Sequence, residues 1–417
     1  MKLTVSVEIN DHYENIGILQ TKPGIGPTFR YTETWLTNHT GLPLSLSLPA
    51  NETEYPEKSI KPYFEGLLPE EYARTAIARK LGVSQHSYIK LLAALNDECI
   101  GAVMFTNEDN ESAPPEPSYE QLSAKGLESL AAREYAIASG ISAESRLSLA
   151  GAQSKVGLYR DPESGSWFIP HATAPSNCIL KPNSSNFPEL IDNELFCLQL
   201  ASACGLPAAN AQHASTASPM LIIERYDRGP SAKDASIDGH VRYSRLHQED
   251  FCQALGIPST LKYEDNASHY ASKMAELLRR YSASPVKDIS CLFDIFVFNY
   301  LIGNCDAHLK NHSIIRNRDW RELRLAPAYD LVSTTAYPEL TTSMGIYIGT
   351  EKKLERITPE CFYELAKEMH VSPRVAKQQI SELREKLSCA LNSSDVCCHI
   401  TQTIAEQTSK RITKLRD

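Results

Sequence analysis

The first hundred residues alternate between polar and apolar positions before they change to a helical spacing. Residues 2–8 alternate regularly enough to predict an edge or half-buried strand, and residues 16–19, 29–31 and 44–48 continue a small β-rich module. Between residues 69 and 95 the apolar side chains recur at helical intervals. The pattern therefore predicts strands first and helices second in this part of the chain.

The rest of the chain follows a similar order on a larger scale. Short apolar runs predict strands around a glycine-bearing turn at residues 147–159 and 167–169, and two further strands at residues 178–181 and 220–223. Helical spacing predicts three longer elements, at residues 188–204, 248–255 and 289–301. A β-rich part followed by a mostly helical part is the α+β, two-lobed plan of a protein-kinase-like fold.

Residues 108–118 contain three prolines among acidic and small residues and form the clearest linker. We expect an N-terminal subdomain over residues 1–110. The remainder of the N-lobe would cover residues 119–226, and a helical C-lobe would cover residues 227–417. A chain of 417 residues is long enough for two or three such subdomains.

Composition narrows the class of protein. Hydrophobic residues make up 42% and charged residues 22%, and no run approaches the roughly 18 apolar residues that a membrane helix needs. With no signal-peptide pattern at the N-terminus, we expect a cytoplasmic protein without membrane contact. The 11 cysteines are scattered and are best explained as buried free thiols. A net charge of −9 argues against nucleic acid as the main ligand.

A candidate catalytic loop follows the last predicted helix. Asp306 lies five residues before Asn311, which is the D-x-x-x-x-N spacing of a kinase catalytic loop. In such a loop the aspartate accepts the proton of the attacking hydroxyl and the asparagine holds Mg²⁺. His308 and Lys310 lie in the same loop and join the catalytic candidates. Asp330 follows in a segment that could return to the same place as a second metal ligand.

A polar, glycine-bearing segment is the candidate phosphate loop. Its backbone N–H groups could surround phosphate oxygens, although it matches neither the P-loop nor the G-x-G-x-x-G pattern. On this segment alone, a polar hairpin turn is the favoured interpretation. The candidate ATP-contacting residues here are Ser148, Ala150, Gly151, Ala152, Gln153 and Lys155.

Four further residues suit nucleotide binding. Lys181 ends a predicted strand, where a lysine could neutralise phosphate charge, and Glu194 on the next helix could orient it as an ion pair. Glu224 and Tyr226 follow the last strand of the first lobe, where a kinase hinge would meet adenine. Glu194 also has an ordinary structural explanation as a polar position on a helix, and Glu224 and Tyr226 have one as a strand end.

A different chemistry stays open for the same loop. Asp306, His308, His312 and Asp330 are also potential metal ligands and could build a metal-dependent hydrolase centre. That interpretation leaves Lys181 and the polar loop without a role. A phosphotransferase site gives a role to more of these candidate residues than a hydrolase centre does.

The whole set of motifs resembles the HipA family, the serine/threonine kinase toxins of type II toxin–antitoxin modules. The resemblance covers nearly the full length and rests on residues 29–31, 43–49, 63–69, 148–155, 222–228, 246–253, 303–311 and 325–331. It implies a HipA-like fold and an ATP- and Mg²⁺-dependent kinase. The implied roles are Asp306 as base, Asn311 and Asp330 on Mg²⁺, Lys181 on the ATP phosphates, Glu224, Tyr226 and Gln248 around adenine, and Ser148 as an autophosphorylated off-switch.

The resemblance also implies partners. The antitoxin would be a separate HipB-like helix-turn-helix chain, through which the protein mainly reaches operator DNA, and the substrate would be a translation protein such as an aminoacyl-tRNA synthetase. Ser154 adds a second hydroxyl to the loop and competes with Ser148 as the phosphosite. A catalytically silent co-repressor is the rival from the binding-protein class.

Overall fold

The computed structural model describes residues 1–95, 99–108, 115–132, 155–184, 186–231, 235–265, 268–394 and 396–416. Its strands are β1 Lys2–Ile9, β2 His12–Lys22, β3 Gly26–Tyr31, β4 Tyr55–Pro56, β5 Val103–Asn107, β6 Ser118–Leu122, β7 Val156–Arg160, β8 Trp167–His171, β9 Cys178–Pro182, β10 Ala211–His213, β11 Met220–Glu224, β12 Arg228–Pro230, β13 Ser236–Ile237, β14 His240–Val241, β15 Tyr243–Arg245, β16 Gln248–Asp250, β17 Ser313–Arg316, β18 Leu323–Leu325, β19 Ser343–Ile348 and β20 Glu351–Lys353.

Its α-helices are α1 Glu33–Asn38, α2 Glu57–Gly66, α3 Glu71–Lys80, α4 Tyr88–Ala94, α5 Ala124–Ala132, α6 Leu190–Ala203, α7 Phe251–Leu255, α8 Tyr270–Tyr281, α9 Pro285–Ile302, α10 Pro359–Glu368, α11 Pro373–Ser393 and α12 His399–Lys414. No helix in the described part of the chain combines the length and the apolar character needed to span a bilayer. The chain divides into two compact units, each assembled from separate stretches of sequence.

Unit 1 comprises Met1–Asn183, His213–Ser259 and Ile315–Glu322. Its first sheet has the antiparallel strand order β4-β3-β2-β1-β5, and one face packs on helices α2 and α4 around a core that includes Phe29, Trp35, Phe64 and Trp320. This arrangement confirms the predicted strands at residues 2–8, 16–19 and 29–31.

A second sheet in unit 1 places β11, β9, β7, β8 and β6 side by side. β9 pairs antiparallel with β11, so that Lys181 lies opposite Leu221, and β9 also pairs with β7. Apolar side chains from these strands and α5 form a small core of their own. The predicted strands at residues 167–169, 178–181 and 220–223 are confirmed.

One predicted element of unit 1 is wrong, and a second is right only in its C-terminal part. Residues 44–48 form a turn closed by a Ser45–Leu48 bridge, not a strand. Their alternation arises because Leu44 and Leu48 enter the core of the first sheet while Ser45 bonds to Glu249. Residues 248–255 divide into the strand β16 and the helix α7, since Asp250 caps the helix in a capping box with Gln253.

Unit 2 comprises Ser184–Gln212, Thr260–Ile314 and Leu323–Asp417. It is mostly helical, and α9 packs against α8, α11 and α12. α9 has proline in its first turn and is buried on nearly every side, with Leu292, Phe293, Phe296, Val297, Tyr300 and Leu301 among its core residues. The predicted helices at residues 188–204 and 289–301 are confirmed by α6 and α9.

Candidate active site

The candidate catalytic loop begins where α9 ends. Gly303 has a φ of 75°, and its N–H reaches the carbonyl oxygens of Asn299 and Tyr300, which closes the helix. A Cβ added at Gly303 would lie 2.6 Å from Nη2 of Arg411 and would also collide with Thr335. Glycine is therefore required here both for its backbone conformation and for the close packing.

Polar side chains then hold the backbone of the loop. The Asn304 side chain donates to Oδ1 of Asn299 at 3.0 Å, and its own Oδ1 accepts the Asp306 N–H at 3.2 Å. The hydroxyl of Thr334 accepts the Cys305 N–H at 2.9 Å. Asn304 and Cys305 are buried, so these bonds form away from competing water. The chain leading into Asp306 is thus fixed on both sides.

Asp306 itself is exposed, in contrast with its buried neighbours. Its Oδ1 accepts a hydrogen bond of 2.6 Å from the hydroxyl of Tyr263. An exposed carboxylate on an immobilised backbone is a suitable arrangement for a group that accepts a proton from an incoming hydroxyl. Tyr263 was not among the residues predicted from the sequence, because a residue 43 positions upstream gives no local signal of this contact.

Asn311 closes the loop back on itself. Its Nδ2 donates to the backbone carbonyl of Asp306 at 3.1 Å, and Leu309–Asn311 form a 3₁₀ turn. The D-x-x-x-x-N spacing therefore corresponds to one compact turn. Because the amide nitrogen is directed at Asp306, the side-chain oxygen is the atom that can serve another ligand.

The segment carrying Asp330 is tied to the same loop. The hydroxyl of Tyr329 donates to the carbonyl of Lys310 at 2.7 Å and shares a hydrogen bond of 2.6 Å with Ser313. Ala328 forms a parallel bridge with Ala208. Asp330 has a φ of 50°, an uncommon conformation for a residue with a side chain. The chain thus adopts a costly backbone geometry at the predicted metal ligand.

The two histidines of the hydrolase alternative lie in different surroundings. His308 is buried, and its ring meets the edge of Tyr263 with centroids 5.0 Å apart. His312 packs on Phe296, and burial lowers the pKa of its imidazole to about 4. Within the described residues, no group of three or more His, Cys, Asp and Glu side chains is arranged to hold a metal ion. The packing of His312 in the core gives the hydrolase alternative no support.

Glu194 is fully buried on α6. Its neighbour Asn193 donates to the carbonyl of Ser333 at 3.0 Å and accepts the Ser333 N–H at 2.8 Å. This pair of hydrogen bonds holds α6 against the segment that follows Asp330. Lys181 is buried in β9 of unit 1. The Lys181–Glu194 ion pair stays a prediction.

The candidate hinge of unit 1 is built on a buried charge cluster. Asp227 binds Arg225 at 2.7 Å and Arg228 at 2.9 Å, and it also accepts the Gly101 N–H at 2.9 Å. Burial alone would raise the pKa of Asp227, but the two guanidinium charges hold that pKa well below its usual range. The cluster leaves Glu224 exposed and Tyr226 half-buried. Arg225 and Arg228 were not predicted from the sequence to have this structural role.

Gln248 is buried, and no described residue makes a hydrogen bond to its Oε1. Buried amide oxygens are normally bonded, so this atom is a candidate ligand contact. Lys155 is half-buried and directly precedes β7. The other phosphate-loop candidates, Ser148, Ala150, Gly151, Ala152, Gln153 and Ser154, lie outside the described residues.

Comparison with solved structures defines the class of fold. The chain is similar to a Shewanella oneidensis HipA in complex with HipB and its operator DNA, with a TM-score of 0.78 and 21% identity, over 99% of this chain and 97% of that one. The α+β, HipA-like kinase fold predicted from the sequence is confirmed.

Family domains and related sequences lead to the particular family. A HipA N-terminal domain matches residues 7–106 and a HipA-like C-terminal domain matches residues 147–391. The chain is 39% identical over 365 residues to the Sinorhizobium fredii protein Y4mE, covering 85% of this chain and 83% of that protein. It is 28% identical over 336 residues to the serine/threonine-protein kinase toxin HipA of Shewanella oneidensis, covering 77% and 73%. This chain belongs to the HipA family.

Proposed function

We propose that this protein is an ATP- and Mg²⁺-dependent serine/threonine protein kinase that acts as the toxin of a toxin–antitoxin module. The observation that carries the proposal is the exposed Asp306 carboxylate on an otherwise buried and hydrogen-bonded loop. In this role Asp306 accepts the proton of a serine or threonine hydroxyl. The hydroxyl oxygen then takes the γ-phosphoryl group of ATP, and ADP leaves.

The donor atoms in unit 2 suit magnesium. Mg²⁺ prefers oxygen ligands, and the candidates are the Asp330 carboxylate and the side-chain oxygen of Asn311. The Asn311 amide nitrogen is already engaged with Asp306, which supports the assignment of its oxygen to a cation. Bound Mg²⁺ would offset charge on the phosphates. These two residues would hold it.

Residues of unit 1 are proposed to bind ATP. Lys181 would neutralise phosphate charge, and its burial on a paired strand supports a fixed position for the ammonium group. Glu224, Tyr226 and Gln248 would surround adenine. The bond-free Oε1 of Gln248 supports its part in that set. The loop from Ser148 to Lys155 would cover the phosphates.

The assay that tests the proposal compares Asp306→Asn with the wild type in transfer of labelled phosphate from ATP. The substitution keeps the shape of the side chain and removes the base, so we expect transfer to fall by at least roughly 10²-fold. Binding of a fluorescent ATP analogue should persist. Asp319→Asn, in which the new amide oxygen can still accept the Arg321 N–H, is the matched control and should stay active. Near-normal transfer by Asp306→Asn would contradict the assignment.

Incubation of the wild-type protein with ATP also tests whether autophosphorylation inhibits the enzyme. A phosphate on Ser148 would add about −1.5 to −2 charges beside a site that holds ATP phosphates, and repulsion should then weaken ATP binding. Mass spectrometry should find the phosphate on Ser148. Phosphate confined to Ser154, or unchanged ATP binding after full modification of Ser148, would rule this switch out.

The proposed partner is a HipB-like helix-turn-helix antitoxin on a separate chain, which would carry most of the contact with operator DNA. The net charge of −9 supports an assembly in which the antitoxin, and not this chain, makes most of the DNA contacts. The Shewanella HipA was solved together with HipB and operator DNA, which supports the same kind of assembly for this chain. The proposed substrate is a translation protein such as an aminoacyl-tRNA synthetase.

A further inference from the structure

Tyr263 contacts the proposed catalytic base directly. Its hydroxyl lies 2.6 Å from Oδ1 of Asp306. Hydrogen bonds from a hydroxyl to an ionised carboxylate are short and about twice as strong as neutral ones. The bond therefore restricts the rotation of a side chain that is otherwise exposed.

The segment that carries Tyr263 is itself anchored at several points. The carbonyl of Lys262 accepts the N–H of Leu309 at 3.2 Å, which joins the segment to the catalytic loop. The hydroxyl of Tyr270 on α8 donates to the carbonyl of Leu261 at 2.6 Å. The Tyr263 ring meets the buried His308 edge-on. These contacts fix the phenol relative to the loop although 47% of the residue is exposed.

We propose that Tyr263 is a positioning residue that holds the Asp306 carboxylate in the orientation needed to receive the proton of the acceptor hydroxyl. This inference rests on the proposed kinase function. A carboxylate has about four lone-pair positions, so the Tyr263 hydroxyl on Oδ1 does not by itself exclude a substrate hydroxyl. Holding a base in its productive orientation before the substrate arrives removes an entropic part of the barrier. The gain should therefore appear in kcat and not in ATP affinity.

Tyr263→Phe tests the inference because it removes only the hydroxyl and keeps the ring against His308. We expect kcat for phosphate transfer to fall about tenfold to a hundredfold, the loss typical of one hydrogen bond to a charged group, with KM for ATP unchanged. In an Asp306→Asn background the same substitution should have no further effect. Tyr281→Phe, another exposed tyrosine at the end of α8, is the matched control and should behave as the wild type.

Unchanged or faster turnover by Tyr263→Phe would overturn the inference, and faster turnover would mean that the phenol competes with the substrate. A rise in KM for ATP with kcat unchanged would also overturn it, because the hydroxyl would then act on nucleotide binding.

A second measurement separates failure of this inference from failure of the kinase proposal. Urea denaturation of Tyr263→Phe, Asp306→Ala and the double variant forms a double-mutant cycle that needs no enzymatic activity. If Tyr263 holds Asp306, Tyr263→Phe lowers the urea midpoint in the wild type and leaves it unchanged in Asp306→Ala. Additive effects would refute the positioning role, whereas coupling together with an inactive wild-type protein would refute the kinase proposal alone.

Discussion

Gly303 connects the stability of unit 2 with the position of Asp306. Its left-handed backbone ends α9, its carbonyl accepts the hydroxyl of Thr334, and that same hydroxyl receives the Cys305 N–H. Arg411 of α12 packs against Gly303 and donates through Nε to the carbonyl of Leu301 at 2.8 Å. The geometry of the catalytic loop therefore depends on one residue without a side chain.

Gly303→Ala should destabilise the protein more than a backbone effect alone can explain. The left-handed conformation costs alanine roughly 1–2 kcal/mol, and forcing Arg411 and Thr335 aside adds roughly 1–3 kcal/mol. The free energy of unfolding from urea titration measures the sum. Gly205→Ala is the control, because Gly205 has a φ of 81° with no atom near its missing Cβ, and only the backbone term should appear. Equal losses for the two variants would show that the packing around Gly303 adapts.

At the scale of elements, a buried carboxyl joins two elements of unit 1. Glu249 in β16 accepts the hydroxyl of Ser45 at 2.6 Å and the N–H of Leu46 at 3.0 Å, which anchors the turn at residues 44–48. Burial raises the pKa of Glu249 to about 7, despite these bonds and the charge of Arg316. The turn is therefore held by a group that favours its protonated form in the folded state.

The raised pKa of Glu249 makes stability depend on pH in a definite direction. Between the ordinary value of 4.5 and about 7, the folded state keeps a proton that the unfolded state has lost. The contribution of this group to stability is then largest below pH 4.5 and declines as pH rises towards 7. Glu249→Gln removes the titration, so the stability of this variant relative to the wild type should increase across that interval.

Urea titrations at several pH values measure this difference. Comparing variant with wild type cancels the opposite contribution of His247 and His312, whose pKa values burial lowers to about 3 and about 4. A difference between Glu249→Gln and the wild type that stays the same at every pH would contradict the raised pKa of Glu249.

At the scale of the whole molecule, the toxin proposal predicts growth arrest that depends on catalysis. Expression of the wild-type chain should stop growth, whereas Asp306→Asn and Asp330→Ala should be tolerated at equal protein levels. Asp319→Asn should remain toxic. Colony counts after induction measure growth, and immunoblots measure the protein levels. Arrest by Asp330→Ala as strong as that of the wild type would separate toxicity from kinase chemistry.

Co-expression of a helix-turn-helix protein encoded beside this chain should restore growth and co-purify with it. Co-purification together with wild-type protein that never transfers phosphate would favour the silent co-repressor. Failure to co-purify would remove the antitoxin from the proposal. Phosphate transfer and co-purification are independent results, because phosphate transfer reports on catalysis and co-purification reports on association.

Local patterns along the chain were sufficient for much of this protein. The strands at residues 2–8, 178–181 and 220–223 and the helix at residues 289–301 follow directly from apolar spacing, because each buries one face or nearly all of its surface. The D-x-x-x-x-N spacing and the surrounding motifs were enough to identify the family. These signals are local, so they can be recognised without knowledge of the fold.

Tertiary structure alone decided the features that depend on distant partners. Residues 44–48 alternate like a strand but form a turn, since their polar side is satisfied by Glu249, some two hundred positions away. The short bond from Tyr263 reaches Asp306, 43 positions further along the chain, and the Arg225–Asp227–Arg228 cluster is buried through bonds to the backbone of Cys99 and Gly101, more than 120 positions upstream. The physical reason is the same in each case. Periodicity reports which face of an element is buried, whereas hydrogen bonds and ion pairs depend on which atoms the folded chain brings within about 3 Å.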